Sequence, residues 1–195
     1  MSAGSMVRNV LQVIGGLALL VVLAGAVYIG FFVPGRGFSA REGPSQLEEL
    51  IARRARALAT PTGTKEMMNP HPVTKEALAA ARSHWVDHCA TCHALDGSGQ
   101  TSIGQNVYPK APDMRAAATQ NLTDGELYSI IENGIRFTGM PAWGGEHSPE
   151  DNWQLVMLIR RLPKLSSEEM REMEKLAAGE GGGHIDAPGS KPHKH

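Results

Sequence analysis

The sharpest change of pattern along the chain comes first. From Val10 to Val33 no residue is charged, and Gln12 is the only strongly polar side chain. A helix of these 24 residues, rising 1.5 Å per residue, covers the roughly 30 Å of bilayer hydrocarbon. The stretch predicts one transmembrane helix over 10–33, preceded by a short terminus over 1–9. A cleaved signal peptide and a buried core helix are the alternatives. The apolar part of a signal is usually about 7–15 residues and ends at small residues. Ala24-Gly25-Ala26 resembles such an end, but the apolar run continues straight past it. Tyr28, Phe31 and Phe32 gather at one end, as aromatic side chains do near a membrane interface.

Beyond this stretch the pattern turns amphipathic and is punctuated by capping signals. Pro34-Gly35-Arg36-Gly37 predicts a helix break. Ser45-x-x-Glu48 reads as a capping box opening a helix of about 14 residues, with Leu47, Leu50, Ile51 and Leu58 on one face. That helix rests either on the following domain or on the bilayer. Pro61, Gly63, Pro70 and Pro72 make the next stretch irregular, so residues 34–73 read as a linker. Thr74 then caps a helix expected to run through His88, with Ala77, Leu78, Ala81, Trp85 and Val86 on its apolar side. Residues 94–121 read as loop. Thr123-x-x-Glu126 opens a helix ending at Asn133-Gly134, and Ser148-Pro149 opens another that Pro163 closes. Ser166-x-x-Glu169 caps an exposed, charge-rich helix over 164–178. Residues 179–195 hold too little apolar material to fold, and read as a disordered tail. Its His184, His193 and His195 are irregularly spaced, which favours a solvated tail over a metal site. No strand alternation and no internal repeat stands out. The fold class is all-α.

Charge narrows the functional classes. Nineteen basic residues face 20 acidic ones, for a net charge of −1. A protein held to nucleic acid by bulk charge would be clearly basic, so that class is set aside. The positive-inside rule is nearly balanced across the apolar helix, with Arg8 and the amino terminus before it and Arg36 and Arg41 after it.

The two cysteines fall together, in Cys89-Ala90-Thr91-Cys92-His93. One pair cannot build a disulfide framework or a four-thiolate zinc site. C-x-x-C-H is the attachment signature of c-type haem. Two thiols three positions apart at a helix end lie near one face, where they can add to two vinyl groups on a porphyrin edge. The adjacent imidazole is then directed at the iron. A redox dithiol would be expected within a βαβ pattern, which is missing. A core of about 90 helical, loop-rich residues also calls for extra support from a cofactor.

On these residues the segment 74–163 resembles a class I monohaem cytochrome c, here with a membrane anchor. The family has a small residue eight positions and an aromatic four positions before the first cysteine; Ala81 and Trp85 hold those places. Ala111-Pro112-Asp113-Met114 is similar to the turn whose proline carbonyl accepts a hydrogen bond from the proximal histidine. Gly139-Met140-Pro141 matches the loop that supplies the axial methionine. Trp153, Val156, Leu158, Ile159, Arg160 and Leu162 fit the final helix, with Ala81 in place of the usual glycine and Leu158 in place of the usual aromatic.

The resemblance implies one covalent haem c held by Cys89 and Cys92, with His93 and Met140 on the iron. Other sixth-ligand candidates fare worse. His88 abuts Cys89 and cannot reach the far face, Met157 lies in an apolar stripe, Met114 lies near the proximal turn, and His147 is the remaining alternative. Tyr108, Arg115 and Trp143, with Pro112, are candidate parts of the haem environment; packing or solvation is the alternative for the first three. Met–His ligation leaves no open iron site, so the expected function is single-electron transfer between respiratory redox partners rather than enzymatic catalysis. The alternative is a haem peroxidase or gas sensor in which the methionine dissociates, with Arg136 or His147 nearby. Expected partners are the bilayer and a redox donor and acceptor, or a larger respiratory complex, with no nucleic acid and no small-molecule substrate. The resemblance further implies a bacterial inner-membrane location, single-pass, with the haem domain facing the periplasm.

Overall fold

The computed structural model describes residues 3–36 and 39–179. These fall into two units, Met1–Ser39 and Ala40–His195. The residues expected to form a disordered tail lie, apart from Gly179, outside the described part.

The first unit is one helix, α1 (Ala3–Arg36). Its segment Gly4–Phe31 is long and apolar enough to cross a membrane. Leu11, Leu17, Leu20, Val21 and Val22 are exposed along it, as a lipid-facing helix requires. The helix starts at Ala3, within the stretch expected to be a short terminus. It also runs two residues past Pro34, where the break was predicted. A proline removes a single N–H from the ladder, and here the chain stays helical to Arg36 despite it.

The second unit is helical, and no strand occurs among its described residues. It opens with α2 (Gln46–Ala59), whose capping box between Ser45 and Glu48 is formed. None of α2 is buried; Leu47, Leu50, Ile51 and Leu58 are all exposed. Then come α3 (Lys75–His84), a π-helical turn (Trp85–Cys89) and α4 (Ala90–His93), with no break between them. After a long loop come α5 (Ala117–Gln120), α6 (Asp124–Asn133), α7 (Pro149–Arg161) and α8 (Ser167–Ala177). Capping boxes are formed at Thr123, Ser148 and Ser166.

The core lies where α3 packs across α7. Every residue of α7 from Asp151 to Ile159 is buried, and Ala81 of α3 and Leu158 of α7 are fully so. The two departures from the family pattern thus sit inside a closed interior. Leu127 and Ile131 of α6, Leu162 just after α7 and Met173 of α8 complete it. Each fully buried side chain of this size contributes about 1.5–3 kcal/mol. Polar side chains fasten what a sheet would otherwise hold. Arg160 donates to Asp124 (2.8 Å), to the Gln120 carbonyl (2.7 Å) and to the Leu122 carbonyl. Gln120 in turn donates to the carbonyls of Met114 (2.7 Å) and Ile159 (2.9 Å).

Residues 64–71, within the stretch read as linker, belong to this body. Thr64 is buried, and a Cβ on Gly125 would meet the Thr64 carbonyl oxygen at 1.8 Å. Asn69 donates to the Trp153 carbonyl at 3.1 Å. The prolines that make this stretch irregular leave its polar groups to find partners across the fold rather than along a helix.

Candidate cofactor site

The helix that carries the cysteines runs further than expected, through His93 rather than to His88. It does so by changing register: the Ala90 N–H donates to the Trp85 carbonyl, one residue longer than an α-turn. Trp85 is buried and its indole N–H donates to the Ala94 carbonyl at 2.9 Å, locking the end of α4 to α3. Cys89 and Cys92 then lie one turn apart, both half-buried and both free thiols. Burial, and to a lesser degree the neighbouring Cys92, pushes the Cys89 thiol up to about 12.

The loop after α4 folds back under these residues. The Gly99 N–H donates to the His93 carbonyl (2.9 Å), and the Thr101 hydroxyl to the Cys92 carbonyl (3.3 Å). Two glycines are required for this approach. A Cβ on Gly104 would stand 2.1 Å from the Cys92 carbonyl oxygen. Gly99 has φ of +71°, and a Cβ there would meet the Ala111 carbonyl oxygen at 2.5 Å. The result is that Pro112 is carried to the His93 ring. Burial lowers the His93 pKa and the Pro112 carbonyl opposes that effect. The approach stops short of hydrogen-bond geometry, so the buried Nδ1 makes no hydrogen bond.

Met140 is half-buried in a loop tied to the end of α6. Its N–H donates to the Thr138 hydroxyl (3.1 Å) and its carbonyl accepts from Ile135 (3.1 Å). Gly134, at φ of +62°, makes room, since a Cβ there would meet Pro141 at 2.6 Å. The competing methionines are engaged in packing: Met157 is buried on α7, and Met114 packs against the core. His147 is buried beneath Trp143, which stacks on it at 4.8 Å.

Residues 76–159 match the family described as cytochrome C oxidase, cbb3-type, subunit III. They form a class I c-type cytochrome domain. No curated protein matches the chain. A cytochrome c domain implies covalently bound haem c and haem-based electron transfer. The local chemistry fits that group. Two free thiols stand on adjacent turns beside an imidazole whose Nδ1 is turned into the protein, the donor set that c-type attachment needs.

The structure thus brings Cys89, Cys92, His93 and Pro112 of the cytochrome domain into one neighbourhood. Tyr108 and Arg115 have protein partners instead: Tyr108 donates to Glu48 of α2, and Arg115 pairs with Asp96 (2.6 Å) and Asp113 (2.9 Å). Trp143 faces a histidine cluster formed by His84, His88 and His147. In the sequence His88 and His147 stand out only singly, and His84 does not stand out at all. The signal that links His84 to His88 is the 84/88 spacing, which sets both rings on one side of the same helix.

Proposed function

We propose that the chain is a membrane-tethered, single-haem electron carrier. Cys89 and Cys92 would hold one haem c through thioether bonds, and His93 and Met140 would ligate its iron. When bound, the group supplies a single electron through the ferrous–ferric couple. The chain's own residues fix how that electron is handled. The carbonyl of Pro112 stands beside the His93 ring, and the loop held by Gly99 and Gly104 covers that side of it. The thioether of Met140 favours the ferrous form and raises the potential relative to a second histidine. Helix α1 anchors the domain in a bacterial inner membrane with the haem domain in the periplasm. The tether raises the local concentration of the domain near a membrane-bound donor and acceptor.

The observation that carries the reading is the convergence of Cys89, Cys92, His93 and the Pro112 carbonyl at one helix end. Visible spectra of the purified holoprotein, with and without carbon monoxide, test it. A six-coordinate spectrum unmoved by the gas is expected, and Met140→Ala should open the iron to the gas and lower the potential while the haem stays attached. Gas binding by the unaltered protein would favour the sensor or peroxidase reading. An unchanged spectrum in Met140→Ala would remove Met140 as ligand.

A further inference from the structure

Three histidines outside the haem-attachment set converge in the second unit. The ligand atoms of His84, His88 and His147 all lie within 4.8 Å of one another. His147 is buried, and the other two are half-buried. His84 and His147 stack at 4.8 Å with ring planes 18° apart, and His88 lies 5.1 Å from His147. Three imidazoles about a tetrahedral zinc at 2.0–2.1 Å stand about 3.3 Å apart, so each donor here needs to move inward by about 1 Å. Binding also requires the stacked His84 and His147 rings to turn edge-on to the ion.

Hydrogen bonding fixes which nitrogen of His147 faces the cluster. Glu132 is a carboxylate and only accepts, so the Asn152 group 2.8 Å from it must be the amide nitrogen. The Asn152 oxygen therefore points to His147 Nδ1, at 3.1 Å, and accepts its proton. With Nδ1 as the donor, the tautomer that can ligate is the one with its lone pair on Nε2. An outer partner that sets tautomer and orientation in this way is what metal-ligating histidines carry. Asp151 stands 3.8 Å from His84 Nδ1, an ion-pair rather than a hydrogen-bond distance. Glu132 and Asp151 also supply two negative charges within one residue of the cluster. Trp143, stacked on His147 at 13°, closes one side.

We propose that His84, His88 and His147 form a binding site for a divalent first-row transition cation, with zinc as the fitting ion. Three neutral imidazoles with one position left open match its preference, and the site is distinct from the residues proposed to hold haem. His88 adjoins Cys89, so a bound ion would stiffen the helix end that bears the cysteines.

The test is calorimetric titration of zinc chloride into the full-length holoprotein in detergent, with the tail carrying His184→Gln, His193→Gln and His195→Gln. One ion per chain is expected. His84→Gln and His88→Gln, at half-buried positions, should each weaken binding by about 100-fold or more. Asn152→Leu should weaken it by roughly 10–100-fold, as loss of an outer partner does. The haem spectrum of each variant reports that the domain is folded. No stoichiometric binding by the tail-substituted protein, or binding unmoved by His84→Gln and His88→Gln, would overturn the site. Both readouts are independent of whether Met140 ligates the iron.

Discussion

The indole of Trp85 donates to the carbonyl of Ala94 across nine residues, at 2.9 Å, and so bridges the two ends of the π turn and α4. The buried ring also fills the core beside Ala81. Trp85→Phe removes the donor and leaves a small void. A loss of about 1–3 kcal/mol is expected, read as a lower denaturant midpoint with an unchanged slope.

Ala94 itself stands at φ of +62°, where a side chain is strained. Ala94→Gly should relieve this and raise stability by about 0.5–1 kcal/mol, despite the added freedom of the unfolded chain. Chemical denaturation of the holoprotein measures the change. A drop in stability would show that the left-handed turn carries no strain.

Gly125 of α6 lies against residues 64–67 with no room for a Cβ beside the Thr64 carbonyl. Gly125→Ala forces the Thr64 carbonyl away and should cost roughly 2 kcal/mol or more. Limited proteolysis should then cut first between residues 60 and 73. Equal protection in both proteins would place that segment outside the folded body.

Glu169 closes its own helix cap at Ser166 (2.8 Å) and takes two bonds from Arg161 (3.0 and 3.1 Å). These partners, Arg161 first, hold its carboxyl at about 2 against an ordinary 4.5. The folded pKa is the depressed one, so the stabilisation is fully present above about pH 5. It is lost as pH falls from there towards 2. Glu169→Gln should remove that part of the acid sensitivity, seen as a shallower fall in melting temperature between pH 5 and 2.

Much of the fold is legible because capping chemistry is local. Each of Ser45, Thr123, Ser148 and Ser166 needs only a partner three residues on, and each finds it. The cytochrome resemblance is legible for a similar reason, since Cys89, Cys92 and His93 are contiguous. What could not be read is what depends on distance. Residues 64–71 have no periodicity, and their place is set by Gly125 and Trp153, far along the chain. The i→i+5 turn breaks the 3.6-residue spacing of apolar positions, so periodicity alone ends the helix at His88. The partners of Arg115 and Tyr108, which are Asp96, Asp113 and Glu48, are set by the fold and not by any local pattern. The histidine cluster was hidden by the 59 positions that separate His88 from His147.

The π turn at Trp85–Cys89 makes the bearing helix a two-phase rod. One residue added to a 3.6-residue turn rotates everything after it by about 100°. Ala81 and Trp85 keep the phase that meets the core, while Cys92 and His93 follow the turn in a phase offset from it. A single strictly periodic helix has to give one stripe to both tasks. Here the offset lets the same polypeptide segment be mortar on one azimuth and a cofactor mount on the next. Removing one residue from the turn would not shorten the helix so much as swing Cys92 and His93 round by that same angle.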